Sequence, residues 1–258
     1  MLNVALVQLD LAWEDPAENR RRADRRIREA AASGARLVIL PEMFTCGFSM
    51  RAASADAGLC EAEGGPTETW MQEVAAGLDV WLIAGVPQQS DRGARNRALL
   101  VGPDGHVRRY TKLHPFSFAG EHEHYAAGEQ VESWVVDGVR ITPFICYDLR
   151  FPEVFRQTVD RTDLYVVIAN WPERRRAHWQ ALLLARAIED QAYVAGVNRV
   201  GDGGGLHYSG DSALISPWGE RLVAAAEAEA VLVGTVDPAV VAAARAQFPV
   251  LRDRRGGA

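Results

Sequence analysis

The sequence predicts an α/β sandwich built on mixed β-sheet. Three observations lead there. Strand-like apolar runs alternate with helical segments in the first third of the chain. Farther on, β runs come in pairs joined by turn sequences, which makes antiparallel hairpins and so a sheet that is not purely parallel. The chain has 258 residues, 48% hydrophobic and 24% charged, which is ample for a core.

Taken in order, Leu2–Gln8 reads as a strand. Pro16–Ser33 reads as a helix, with Asp15 as N-cap, Pro16 at the first helical position and Gly34 past the end. Leu37–Leu40 is a short buried strand running into Pro41-Glu42. Pro66–Ala76, opened by Thr67, is a helix and Val80–Val86 a strand. Arg97–Val101 and His106–Tyr110 flank the turn sequence Gly102-Pro103-Asp104-Gly105. Ser133–Val136 and Arg140–Ile145 flank Asp137-Gly138, a strong two-residue hairpin signal. Pro152–Thr158 is helical and Leu164–Ala169 a strand. Arg174–Gln191 is a long amphipathic helix with Trp179, Leu182, Leu183 and Ala187 inward. Tyr193–Val197, Ser212–Ile215 and Val231–Val236 complete the strands, with a Pro217-Trp218-Gly219 turn between the last two. Gly201–Gly205 reads as a loop tip. Repeats and Gly/Ser/Pro linkers are absent, so one domain is expected over 1–258, with a frayed polar tail at Arg252–Ala258.

A net charge of −6 argues against nucleic acid as the main partner, because phosphate binding draws on a basic face. The chain lacks an apolar run of about 18 residues, the length that a membrane span needs. The opening MLNVALVQLD alternates like a strand and has no positive n-region, so it does not read as a signal peptide. Cys46, Cys60 and Cys146 form neither a disulfide framework nor a zinc pattern, and a reduced, cytoplasmic protein is expected.

Three segments place a reactive side chain at the end of an apolar run. They are LVILPE, ending in Glu42; YTKLH, carrying Lys112; and ITPFICYD, carrying Cys146. Ligands collect at the carboxyl ends of strands in α/β proteins, so the three can converge on one pocket. An amide carbonyl is a poor electrophile and calls for a strong nucleophile, the role open to Cys146. Glu42 can take its proton and pass it to departing ammonia. Lys112 and the backbone N–H of Tyr147 can hold the developing oxyanion, and a nearby lysine charge also favours the thiolate. Each residue has a plain structural alternative: a packed core thiol, a capping carboxylate, a solvated lysine.

At these residues the sequence resembles the carbon–nitrogen hydrolase (nitrilase) superfamily, through LPEMFTCGFS, YTKLHPF and ICYDLRFPE in that order. The resemblance continues through NWPERRRAHWQALLLARAIEDQAYVAGVNRVG and YSGDSALISPWGE, nearly the whole chain. It implies a catalytic Glu42–Lys112–Cys146 triad and a second glutamate in SFAGEHEHYAAGE. Counting seven residues back from Gly128 selects Glu121, whereas a shorter loop selects Glu123. It also implies a nitrilase-like αββα sandwich, with two mixed β-sheets between helix layers, as four layers once two subunits pack. No metal or organic cofactor is implied, and a homodimer or higher homo-oligomer is. Within the superfamily the chain is most similar to the omega-amidases. That branch implies 2-oxoglutaramate or 2-oxosuccinamate as substrate, and 2-oxo diacid plus ammonia as products. Hydrolysis of N-carbamoyl compounds, nitriles or aliphatic amides is the alternative inside the superfamily, and a silent binding or scaffold protein the alternative outside it.

A substrate carboxylate suits a guanidinium fork. Arg174, Arg175 and Arg176 are candidates, with Arg174 taken first, although three arginines opening a helix can equally be a solvated face. Phe48, Phe116 and Trp171 are candidate pocket walls. His114, His122, Glu123 and His124 match no zinc spacing and read as polar surface. Arg150 and Glu153 are expected to pair and brace the Cys146 turn.

Overall fold

A computed structural model describes residues 1–255. Its elements are β1 (Leu2–Gln8), α1 (Pro16–Ala32), β2 (Leu37–Ile39), β3 (Glu61–Ala62), α2 (Pro66–Leu78), β4 (Trp81–Ser90), β5 (Gly93–Val101) and β6 (Val107–Thr111). Then come α3 (Glu121–His124), β7 (Trp134–Val136), β8 (Val139–Ile145), α4 (Pro152–Arg156), β9 (Leu164–Ile168), α5 (Arg176–Asp190) and β10 (Tyr193–Val197). The chain finishes with β11 (Val200–Gly203), β12 (Leu206–Ile215), β13 (Arg221–Ala226), β14 (Ala230–Val236) and α6 (Pro238–Gln247).

The strands form two sheets. One runs β14-β1-β2-β4-β5-β6 with β3 beside β4, and the other β11-β12-β10-β9-β8-β7 with β13 beside β12. Both are mixed: β1-β2-β4, β3-β4 and β8-β9-β10 are parallel, and the other pairings are antiparallel. The cause is connection length, since parallel neighbours need a crossover and hairpins do not. α1 and α2 supply the crossovers of the first sheet, and α4 and α5 those of the second.

Side-chain alternation builds the layers. Along β1, Leu2, Val4 and Leu6 face the second sheet, and Ala5 and Val7 face the helices. Ala23 and Ile27 of α1 and Met71 and Val74 of α2 cover that outer face. Trp179, Leu183 and Ala187 of α5 join the core of the second sheet. A strand buried on both faces reads as a continuous apolar run, which is why β1, β2 and β9 stand out in the sequence. One chain therefore makes all four layers. The expectation that two subunits are needed to complete αββα is corrected.

Most element boundaries fall close to expectation. Asp15 caps α1 by accepting from the Glu18 N–H at 3.0 Å. Asp137 and Gly138 both take positive φ, as a tight hairpin turn requires. Several readings change. β5 starts at Gly93 and β12 at Leu206, earlier than expected, and β4 runs on to Ser90. α5 starts at Arg176, because residues 173–175 form a 3₁₀ turn. α2 is entered from Gly65, and Thr67 instead bonds Glu61. Gly201–Gly203 belong to β11, with only Gly204-Gly205 turning into β12. β13 and α6 were not anticipated, since RLVAAA is alanine-rich and a poor β signal. The tail is held as far as Arg254, which pairs with Asp160 Oδ1 at 2.7 Å. The remaining tail positions, 256–258, lie outside the described residues. Among the described residues no helix is long and apolar enough to cross a membrane.

Candidate active site

β2 ends one turn before Glu42, whose backbone lies against β4. A Cβ on Gly85 would stand 2.4 Å from Glu42 Cα, so glycine is needed there for the approach. The Glu42 carboxylate is fully buried and accepts three donors: Lys112 Nζ at 2.9 Å, Asn96 Nδ2 at 2.8 Å and the Asn170 N–H at 2.7 Å. The Asn170 side-chain amide also donates to the Glu42 carbonyl at 2.5 Å. A buried carboxylate surrounded only by donors is satisfied as an anion.

Lys112 follows β6 directly. Its N–H donates to the Asn96 carbonyl at 3.0 Å, and its carbonyl accepts from the Gly128 N–H at 2.8 Å. The side chain is 1% exposed and pairs with Glu121 Oε2 at 2.8 Å as well as with Glu42. Glu121 opens α3, is fully buried, and accepts the Phe116 N–H at 2.5 Å. Glu123 is exposed. Of the two loop glutamates, Glu121 is the one that meets Lys112.

Cys146 follows β8 with φ +47, a left-handed conformation uncommon for a residue with a side chain. Buried Asp148 fixes this sharp turn. It accepts from the Ile145 N–H at 3.1 Å, Tyr110 Oη at 2.7 Å and the His114 N–H at 2.9 Å, and it also contacts His114 Nδ1 at 2.8 Å. The turn is thereby tied to β6 and the loop that carries Lys112. Tyr147, second in the turn, has no intrahelical acceptor for its N–H.

Burial pulls the Lys112 ammonium down, but Glu121 and Glu42 outweigh it and hold its pKa above the usual lysine value. Burial first, then the Glu42 charge, pushes the Cys146 thiol well above its ordinary value, and Lys112 only partly opposes them. The expected pull of Lys112 toward the thiolate is present but outweighed, because Lys112 also serves two carboxylates.

Above this cluster lies a cavity of about 180 Å³ lined by Cys146, Tyr147, Phe48, Phe116, Trp171 and Arg174, among others. Arg175 and Arg150 line it too. Arg175 lies over the Phe116 ring at 5.1 Å and Arg150 over the Trp171 ring at 4.7 Å. Among the described residues none of these three arginines is ion-paired, whereas Arg176 turns away to Asp211 and Glu227. The expected Arg150–Glu153 pair does not form: Glu153 is exposed, and Arg150 points to the pocket and to His178 at 3.2 Å.

The histidine-rich loop is dispersed. His114 is taken by Asp148 and stacks on Phe151, while His122, Glu123 and His124 are exposed. Exposed Glu173, His207 and Glu227 bring ligand atoms within 4.8 Å of one another, but Glu227 is bonded to Arg176 and His207 to Asp202. Burial pushes the Cys46 thiol up, and Cys60 to about 11. Sequence reasoning passed over Asn96, Asn170, Asp148 and the pocket role of Arg150. Asp148 stood two residues past Cys146 at a strand end. Asn96, between two arginines, gave no signal.

The family model described as carbon-nitrogen hydrolase matches residues 3–246. The chain is 42% identical to omega-amidase YafV of Escherichia coli K12, over 98% of this chain and 96% of that one. It is 31% identical to the 2-oxoglutaramate amidase of Bacillus subtilis, over 98% and 97%. The crystal structure of XC1258 from Xanthomonas campestris, a CN-hydrolase superfamily protein with an arsenic adduct in its active site, superposes with a TM-score of 0.94. It is 41% identical and covers 100% of this chain and 98% of that one. The chain belongs to the carbon-nitrogen hydrolase family and is a hydrolase of carbon–nitrogen bonds other than peptide bonds.

Proposed function

We propose that the chain is an omega-amidase that removes the terminal amide of a small 2-oxo acid, such as 2-oxoglutaramate or 2-oxosuccinamate, through a thioester on Cys146. The observation that carries the reading is one constellation. Glu42, Lys112 and Glu121 interlock beneath Cys146, and unpaired arginines rim the same small cavity. Relatives named omega-amidase and 2-oxoglutaramate amidase, matched along nearly their full length, support the substrate class.

In the first half-reaction Cys146 Sγ bonds to the amide carbon as its proton moves to Glu42. Proton transfer to Glu42 and attack on the amide carbon proceed together. The Lys112 ammonium has three hydrogens; one meets Glu42 and one is shared by the two Glu121 oxygens, which leaves one for the oxyanion beside the Tyr147 N–H. Glu42 returns the proton to the nitrogen as the C–N bond breaks, and ammonia leaves. In the second half-reaction Glu42 takes a proton from water, hydroxide attacks the thioester, and the acid departs as Cys146 regains its proton. Glu121 holds Lys112 and does not exchange protons with substrate.

The substrate's far carboxylate is read into the arginine rim, with Arg174, Arg175 and Arg150 as donors, and the walls are Phe48, Phe116 and Trp171. The reading places the protein in the cytoplasm, supported by its cysteines, which are all free. It also takes the active form as a homodimer or larger homo-oligomer, on resemblance to the family. A substrate panel tests the reaction. Ammonia release from the two 2-oxo amides exceeds that from aliphatic amides, nitriles and N-carbamoyl compounds by orders of magnitude in kcat/KM. A preference for a nitrile or a carbamoyl compound would overturn the assignment.

A further inference from the structure

We propose that Asn96 is a positioning residue: its side-chain amide bridges Glu42 and Glu121, aims the base at Cys146 and sets the pH range over which Glu42 works. The inference rests on the functional reading above.

Asn96 lies on β5 and is 2% exposed. Its Nδ2 is 2.8 Å from Glu42 Oε1 and 2.8 Å from Glu121 Oε1. An amide nitrogen carries two hydrogens, so each carboxylate takes one. The flipped amide would turn Oδ1 against two carboxylates, so the orientation is fixed by its partners. The same residue's carbonyl accepts the Lys112 N–H at 3.0 Å. One side chain and one carbonyl thus set all three charged groups. Arg95 and Arg97 alternate to the other face, where they meet the Ala127 carbonyl and Glu63.

The physical need is plain. Two carboxylates held on one ammonium repel each other, and the pair carries one more negative charge than Lys112 neutralises. A neutral donor offsets this without adding a cation that would compete with Lys112. The other titratable groups facing Glu42 are Cys146 after β8, Cys46 in its own loop, Tyr125 after α3 and Tyr208 of β12. None bridges the two glutamates.

Asn96→Ala and Asn96→Asp test the role, the second keeping shape while replacing a donor by an acid. Steady-state ammonia release is followed from about pH 5 to about pH 9, with thermal melting as the control for folding. A lost donor to a carboxylate disfavours its charged form, so the acid limb of the kcat profile moves up by about one pH unit. At neutral pH kcat falls about 10- to 100-fold while KM changes by less than about threefold. A pH-independent loss of activity, an unchanged profile, or loss of the fold in both variants would overturn the proposal. Cys146→Ala in parallel keeps the two readings apart, since an active Cys146→Ala sinks the nucleophile assignment whatever Asn96 does.

Discussion

Lys112 and Glu121 form an ion pair that solvent does not reach: Nζ lies 2.8 Å from Oε2, and the side chains are 1% and 0% exposed. Such a pair gives little net stability while intact, but breaking it strands a buried charge. Lys112→Met leaves both Glu42 and Glu121 without their cation. The expected cost is about 3–5 kcal/mol of stability, read as a lower melting temperature. Loss of the oxyanion donor adds a fall of at least about 100-fold in kcat.

Glu42→Gln separates proton transfer from thiol reactivity. The Glu42 charge raises the Cys146 thiol and Lys112 lowers it. Removing only the carboxylate therefore shifts thiol ionisation to lower pH. Hydrolysis is expected to fall by about 100-fold or more, while iodoacetamide alkylates Cys146 faster at neutral pH than in the wild type. Peptide mass mapping against time reads both rates.

Much of the fold was legible because buried strands of a sandwich are apolar on both faces and stand out as runs. β1, β9 and β10 show this. β13 and α6 were not legible, since their alanines fit either state and packing decides. For the site, Glu42 and Cys146 each end an apolar run, so strand-end logic reaches them; Lys112 also follows a strand, but that strand is VRRYT, mostly polar and partly exposed, so the expected apolar run is not there. Asn96 and Asn170 are found only by the carboxylate they share, a contact spanning 54 positions in one case and 128 in the other. Arg150 was misassigned because proximity in sequence to Glu153 suggested a pair, whereas the Cys146 turn carries it into the pocket.

The arginine rim predicts charge selectivity. Arg174→Gln and Arg175→Gln each lower kcat/KM for a 2-oxo acid amide by about 10- to 100-fold, the worth of one hydrogen bond to a charged group. They leave a neutral aliphatic amide of similar length nearly unchanged. Because Arg175 is the less exposed of the two, its effect is expected to be larger. Parallel kinetics on the charged and neutral amides check this.

Asp190 predicts a pH-dependent stability. It closes α5, is fully buried, and neither carboxylate oxygen has a hydrogen-bond partner among the described residues, with Arg156 Nη1 at 3.3 Å. Burial pushes it up to about 7, against the pull of Arg156. The folded state therefore holds this proton more tightly than the unfolded chain, where an aspartate titrates near about 4. The contribution is full below about pH 4 and is lost as pH rises to about 7. Asp190→Asn removes the dependence, so at about pH 8 the variant melts higher than the wild type. Melting curves at about pH 5 and about pH 8 read the difference.

The central claim is that Cys146 is the nucleophile, placed by the Asp148-anchored turn over the Glu42–Lys112–Glu121 cluster. Ammonia release from 2-oxoglutaramate by wild type and by Cys146→Ala tests it most directly. The account predicts brisk release by the wild type and none above background by a folded variant with an unchanged melting temperature. Equal release by the two would contradict it.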